Sequence, residues 1–289
     1  MVRTPGGTPP ILIAALWMVG TLASFTGMAI AVRELSPEIS SFEILFFRSL
    51  VGLMILVPIM LRYRAALRSK QLGLQLARNS LHFASQYGWV VAIALLPLAQ
   101  AFALEFTMPI WATLLAVVIL GERMTIPRAV AVAGGFVGVL VVLRPGIAEF
   151  NPAALFMLAA ALGFAGSVIC TKVLIRSDSA LTIVFYMAII QLPMGLIAAA
   201  FDWTTPRLEH LPWIAVVGVA GLSSHFTLAQ ALKLADATII LPIDFLRLPL
   251  IALIGVLFYG ELLDDWVIVG AAIIFGANYF AVWRESRRQ

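Results

Sequence analysis

Ten apolar runs, each long enough to cross a bilayer, follow one another with only brief polar joints. That succession restricts the fold more than any single motif. About 20 apolar residues in a helix span ~30 Å of hydrocarbon. The runs lie near 11–32, 42–61, 76–95, 98–120, 127–143, 153–173, 181–201, 212–232, 237–259 and 266–284. Leu96-Pro97 alone divides the third from the fourth, and Gly121-Glu122-Arg123-Met124-Thr125 the fourth from the fifth, so no soluble domain fits between them. Of 289 residues, 62% are hydrophobic and 12% charged, against roughly 45–50% apolar and about 25% charged in a soluble domain. Lipid is therefore the solvent for most side chains. An all-α integral membrane protein of ten transmembrane helices is expected.

The single cysteine, Cys170, sits inside an apolar run, which excludes an intrachain disulfide, a thiolate metal cluster and a Cys-x-x-Cys redox pair. No metal site and no cofactor are expected. Residues 1–10 lead into the first run without a small-residue cleavage pattern, so that run reads as a membrane helix and not as a removed signal peptide. The net charge of +4 does not point to nucleic acid, because the basic residues lie beside helix ends, where membrane topology accounts for them. With the N-terminus inside, the inner segments hold fourteen of the 19 Lys and Arg residues. The outer joints hold three, Arg33, Arg144 and Arg207, and Arg48 and Arg247 lie within helices. Both termini are thus expected on the cytoplasmic face of a bacterial inner membrane.

The chain also repeats itself. At a spacing of 139, Glu105-Phe106 answers Asp244-Phe245 and Gly121-Glu122 answers Gly260-Glu261, with Pro109 and Pro249 within one residue of that register. At 143, Phe42 answers Phe185, Arg48 answers Gln191 and Gly52-Leu53 answers Gly195-Leu196. Five helices separate the copies, so each is threaded from the opposite side. The expectation is a 5+5 inverted repeat, residues 1–147 and 148–289.

With Leu120-Gly121-Glu122-Arg123 closing the fourth run, Gly134-Gly135-Phe136-Val137-Gly138-Val139-Leu140 in the fifth and Gly260-Glu261 closing the ninth, the chain resembles the EamA branch of the drug/metabolite transporter superfamily. The resemblance covers nearly the whole length. It implies a ten-helix fold with alternating access, a central substrate cavity, and the fifth and tenth helices as scaffold. It leaves the cargo open.

An ionisable group at mid-membrane costs ~2.5–3.5 kcal/mol on insertion scales, so each is a functional candidate. They are Arg48, His82, Glu105, His225, Asp244 and Arg247. Asp244 and Arg247, three apart, can pair on one helical face, either to serve a site or only to neutralise each other. Pro109 withholds a donor from the carbonyl of Glu105, and Pro249 from that of Phe245, while Pro242 and Pro249 bracket the pair. Such breaks either line a polar cavity or curve helices around a packed bundle. Arg78, His82, Ser85, Gln86 and Trp89 form one polar face, and Gln86 answers His225 at 139. Both histidines fit either packing or direct function. Arg48 suits either an anionic group of the cargo or a pairing with Glu105.

Trp17, Thr21, Ser24 and Met28, like Gly163, Ser167 and Thr171, form stripes that usually mean close helix packing. Trp17 and Trp111 are candidates for an apolar wall of the pocket. The substrate-binding candidates are therefore Trp17, Arg48, His82, Gln86, Glu105, Trp111, Gln191, His225, Asp244 and Arg247. Glu105 and Asp244 are also the proton-coupling candidates, and Pro109, Pro242 and Pro249 the helix breaks.

Phosphate-loop, His-Glu-x-x-His and Gly-x-Ser-x-Gly motifs are missing, so no catalytic residue is assigned. Expected partners are a small-molecule solute and the lipid bilayer. A self-contained monomer fits, because the two halves already form a pseudo-dimer. The expected activity is secondary transport of a small amphipathic metabolite, an amino acid or related compound, in the export direction. Mixed charges suit a zwitterion or an anion. Uptake or exchange of an organic anion or cofactor-like metabolite is the alternative. From another class, the alternative is a non-transporting receptor or an intramembrane enzyme.

Overall fold

The computed structural model describes residues 10–62, 68–147, 149–234 and 243–286, and every regular element among them is helical. The helices are α1 (Pro10–Leu35), α2 (Ser41–Arg62), α3 (Leu72–Leu95), α4 (Leu98–Glu105), α5 (Met108–Leu120), α6 (Ile126–Leu143), α7 (Ala153–Leu174), α8 (Ala180–Ala199), α9 (Leu211–Leu234), α10 (Arg247–Tyr259) and α11 (Asp265–Ser286). Among the described residues eight segments are long and apolar enough to cross a membrane, with α4 and α5 together counting as one. That is two fewer than the ten runs, for identifiable reasons. The α3 stretch is diluted by Gln75, Arg78, Asn79, His82 and Gln86. The ninth run yields only the 13-residue α10, because Pro242 and the rest of 235–242 lie outside the described residues.

Small residues set the packing. Without a hydrophobic drive between helices in lipid, close backbone approach and interhelical hydrogen bonds hold them together. Thr21 and Ser24 of α1 bond Thr227 and Ser223 of α9 at 2.9 and 2.8 Å. On the α3–α7 contact Gly163 lies against Ser85, and Arg78 Nε donates to Thr171 Oγ1 at 3.2 Å. Both sequence stripes are thus helix-contact faces. Where α6 meets α11, a Cβ added at Gly138 would stand 2.8 Å from the Gly270 carbonyl oxygen, and one at Gly270 would stand 2.7 Å from that of Gly138. Only glycine permits this reciprocal approach.

The doubled Gly-Glu joints share one geometry. Gly121 and Gly260 end α5 and α10 in the left-handed region, at φ 67° and 62°. The next N–H bonds back six residues, Glu122 to Ala116 at 3.2 Å and Glu261 to Gly255 at 3.0 Å, one closure repeated at both.

Carboxylates then fasten each end of the bundle. At the end bearing Ser40, Glu261 accepts from Arg33 Nη2 at 2.6 Å and from the Leu98 N–H that opens α4 at 2.7 Å. There Glu43 also accepts from the Thr204 N–H, 3.1 Å away, beyond α8. At the opposite end Glu122 accepts from Lys172 Nζ at 2.7 Å and Arg128 Nη1 at 3.0 Å. Arg33 and Lys172 are 139 residues apart, as are the two glutamates, so one ion pair recurs at both ends.

Asp178, also at that opposite end, accepts from the Ser69 hydroxyl, the Lys70 N–H at 3.0 Å and Gln75 Nε2 at 2.9 Å, tying the α7–α8 joint to the α2–α3 joint. Burial alone would raise its carboxyl, but the hydrogen bonds from Ser69, Lys70, Gln75 and Ser177 outweigh that effect and hold it below the ordinary carboxylate range. A depressed carboxyl contributes its stability above the unfolded value of about pH 4 and loses it as pH falls through the folded value. Asp178→Asn is expected to destabilise the protein by about 2 kcal/mol at pH 7 and to flatten the fall in melting temperature below pH 4. Thermal melts of detergent-purified protein between pH 3 and 7 check both.

Candidate functional site

The two interrupted helices meet at the middle of the bundle. Helix α4 stops at Glu105, a two-residue turn follows, and α5 starts with Pro109 in its first turn. Phe245 and Leu246 form the matching turn before α10, where Pro249 occupies the first turn. The carbonyl of Phe245 is not left free as the sequence suggested, because the Leu248 N–H takes it at 3.1 Å. Asn278 Nδ2 of α11 donates to the Phe106 carbonyl at 3.3 Å. The Phe245 and Phe106 carbonyls at the breaks are thus paired, and the breaks also aim side chains. Phe106 and Phe245, repeat mates, stack face to face with centroids 4.6 Å apart.

Beside that stack Glu105 and Asp244, also repeat mates, share one cation. Arg247 Nη1 donates to Glu105 Oε1 at 3.2 Å, and Nη2 to Asp244 Oδ2 at 3.0 Å. Trp89 Nε1 donates to the other Glu105 oxygen at 2.8 Å. The Arg247 guanidinium carbon lies 4.4 Å from the Phe25 ring centroid, 5.0 Å from that of Phe106 and 5.2 Å from that of Phe102, a desolvated cation–π cage. Arg247 is 4% exposed. Two carboxylates against one guanidinium leave the cluster one negative charge in excess, and Asp244 Oδ1 is buried with no hydrogen-bond partner among the described residues.

A second polar group faces this one across Phe25 and His225, whose rings lie edge to face at 6.1 Å. The His225 ring centroid is 6.3 Å from that of His82. Gln191 Nε2 contacts His82 Nδ1 at 3.1 Å and donates to the Asn79 carbonyl at 3.2 Å. With the amide so assigned, Nδ1 accepts and the ring proton of neutral His82 sits on Nε2. Gln86 is buried, and its Oε1 lacks a partner. Arg48 does not pair with Glu105: Arg247 and Trp89 occupy both carboxylate oxygens.

A cleft of about 840 Å³ opens at the Ser40 end between α2, α3 and α8, lined by Phe42, Phe83, Tyr87, Met194 and Phe201, with Asp202 at its rim. The rings of Phe42 and Tyr87 stack in it at 4.4 Å.

The structure therefore gathers Glu105, Asp244 and Arg247 in one cluster and His82, Gln191 and His225 in another. Trp17 and Trp111 have their ring contacts elsewhere, edge-on to Phe226 at 5.9 Å and to Phe136 at 5.4 Å. Sequence reasoning did not assign the cage rings Phe25 and Phe102 or the donor role of Trp89. Phe106 and Phe245 were legible as repeat mates, but not as a stacked pair.

Residues 12–144 and 151–283 each match the EamA-like transporter family. The chain belongs to that family. The two EamA stretches begin 139 residues apart, the register that relates Gly121 to Gly260. An S-adenosylmethionine uptake transporter of Rickettsia bellii is 29% identical over 272 residues, 94% of each chain. A riboflavin transporter of Vibrio cholerae is 29% identical over 293 residues, 96% of each. A solved crystal structure, 17% identical, matches 96% of this chain and 98% of its own with a TM-score of 0.65, which shows the fold alone. This EamA chain is a multi-pass membrane transporter of small molecules and not an enzyme.

Removing the shared cation strands two acids in a dry site, a loss of about 3–5 kcal/mol. Arg247→Met is therefore expected to lower the melting temperature sharply. The triple change Arg247→Met, Glu105→Gln, Asp244→Asn is expected to recover most of it. Melting curves of the two variants in detergent compare them.

Proposed function

We propose that the protein takes up a cofactor-like metabolite carrying a cationic centre, with S-adenosylmethionine as its type, by alternating access across the bacterial inner membrane. The observation that carries this reading is the Glu105–Arg247–Asp244 cluster, with one negative charge in excess and a buried Asp244 Oδ1 that has no partner among the described residues. A sulfonium or ammonium group satisfies that oxygen and gains the surrounding aromatic faces. The name of the Rickettsia bellii relative supports both the cargo and the direction. Amino-acid export, the first expectation from sequence, gives way to the uptake of a cofactor-like metabolite that stood as its alternative.

The reading includes ten spans in two inverted halves, 1–147 and 148–289. It also places both termini in the cytoplasm, as the Lys and Arg distribution predicts. The Ser40 end then faces outward, and the 840 Å³ cleft is the side from which cargo arrives. Glu105 and Asp244 are the groups through which a proton gradient would couple, because a proton and a cationic cargo compete for the same oxygen. A second cargo class, flat fused rings like that of riboflavin, is favoured by the stacked Phe42 and Tyr87 walls of the cleft and by the Vibrio cholerae relative's name.

Counterflow of labelled S-adenosylmethionine in proteoliposomes, with and without a pH gradient, tests the reading. Accumulation is expected in the parent protein, with at least a ten-fold loss in Asp244→Asn. Excess unlabelled riboflavin distinguishes the second cargo by competition. No counterflow of either compound from correctly inserted protein would refute the assignment, and accumulation indifferent to the gradient would remove the proton.

A further inference from the structure

Arg48 stands apart from the other well-buried arginines. It is 7% exposed in the middle of α2. Arg247 has two carboxylates and Arg78 has Thr171 and Asn79, but Arg48 makes no hydrogen bond, ion pair or ring contact among the described residues. The charged and titratable groups that act on it and on its neighbours are Arg78, His82 and His225, with no carboxylate among them. A guanidinium does not escape this situation by giving up its proton, so the fold maintains an uncompensated buried cation at a continuing cost in stability.

The surroundings make room for that cation. Gly221 of α9 lies over the side chain, and a Cβ there would stand 2.6 Å from Arg48 Nε. A narrow cavity between α2, α8 and α9 is bounded by Arg48, Ser49, Gly52, Met187, Gln191 and Gly221. Its volume of about 10 Å³ is close to one water-sized sphere. As it stands it holds about one water, so a head group of several heavy atoms enters only where α2, α8 and α9 part, and the body of any ligand lies outside it. Gln191 supplies the second element. It is fully buried, its Nε2 is committed to His82 and Asn79, and its Oε1 has no donor among the described residues. Arg48 and Gln191 are also repeat mates at the spacing of 143, so equivalent positions of the two halves offer a cation and an acceptor on one small space.

We propose that Arg48 and Gln191 form a subsite for an α-amino-acid head group, with the carboxylate on the Arg48 guanidinium and the ammonium donating to Gln191 Oε1. This rests on the transport reading above and narrows it, because S-adenosylmethionine carries such a head and riboflavin does not. The carboxylate supplies the counter-charge that α2 lacks, and the ammonium supplies the donor that Gln191 lacks. The negative Asp244 cluster, beyond His225 and Phe25, is then left for the sulfonium.

The test is ligand binding to the purified full-length protein in nanodiscs. The probes are S-adenosylmethionine, its decarboxylated form, L-methionine and riboflavin. The parent protein is expected to bind S-adenosylmethionine at least ten-fold more tightly than the decarboxylated compound, and Arg48→Gln to erase that preference. Gln191→Leu is expected to weaken S-adenosylmethionine binding. Gly221→Ala keeps the charge but displaces the guanidinium, and carries the same test if Arg48→Gln fails to insert.

Equal binding of both adenosyl compounds by the parent, or a preference that survives in Arg48→Gln and Gly221→Ala, would overturn the subsite. Riboflavin binding indifferent to Arg48, without S-adenosylmethionine binding, overturns the subsite and leaves the transporter with its second cargo. L-methionine binding that depends on Arg48, without S-adenosylmethionine binding, upholds the subsite and removes the cofactor-like cargo. Binding of none of the four overturns both.

Discussion

The guanidinium of Arg247 is the interaction on which the centre of this bundle depends. In hydrocarbon no water compensates a charge, so an ionic group persists only where fixed partners surround it. Glu105 and Asp244, brought together by the repeat, would repel each other across the meeting of α4 and α10. One arginine, supplied by only one half, turns that repulsion into a bridge, and three phenyl rings shield it from lipid and water alike. The interrupted helices, the Phe106–Phe245 stack and the Trp89 donor all serve to hold this bridge in place.

The ends of the bundle obey a different economy. There the carboxylates grip backbone N–H groups or lysine and arginine heads across joints, as Glu43, Glu122, Asp178 and Glu261 do. The Lys172–Glu122 pair, partly open to solvent, is exchangeable for water at modest cost, unlike the contacts at the centre. Under the alternating-access reading proposed above, the middle is what stays firm and the fastenings at both ends are what release. The recurrence of Arg33–Glu261 as Lys172–Glu122 gives each side the same kind of fastening.

Much of this was legible in the residues, and the parts that were not share one cause. Run length and polarity marked the helices, and the spacing of 139 marked the paired Gly-Glu turns, because both depend on local chemistry. The Asp244–Arg247 pair was legible for the same reason, being three apart on one helix. The choice of partner between helices was not. Nothing near Glu105 in sequence indicates that Arg247 rather than Arg48 reaches it, since that is decided by how α4 and α10 cross. The α1 and α7 stripes resolved into packing faces, and Trp17 and Trp111 found aromatic partners away from the ionic centre. The count of spans also fell short of ten where the structure is described, because a polar face thins α3 and only part of the ninth run is covered.

The single arginine shared between mirrored acids bears on what each half can do alone. Two identical halves facing each other would present two carboxylates and no cation, or two carboxylates and two guanidiniums. Neither arrangement matches the one seen. With arginine at 247 and Met108 at the equivalent position, the halves are not interchangeable. Neither half carries the whole cluster, and only the joined polypeptide brings both acids to the one cation.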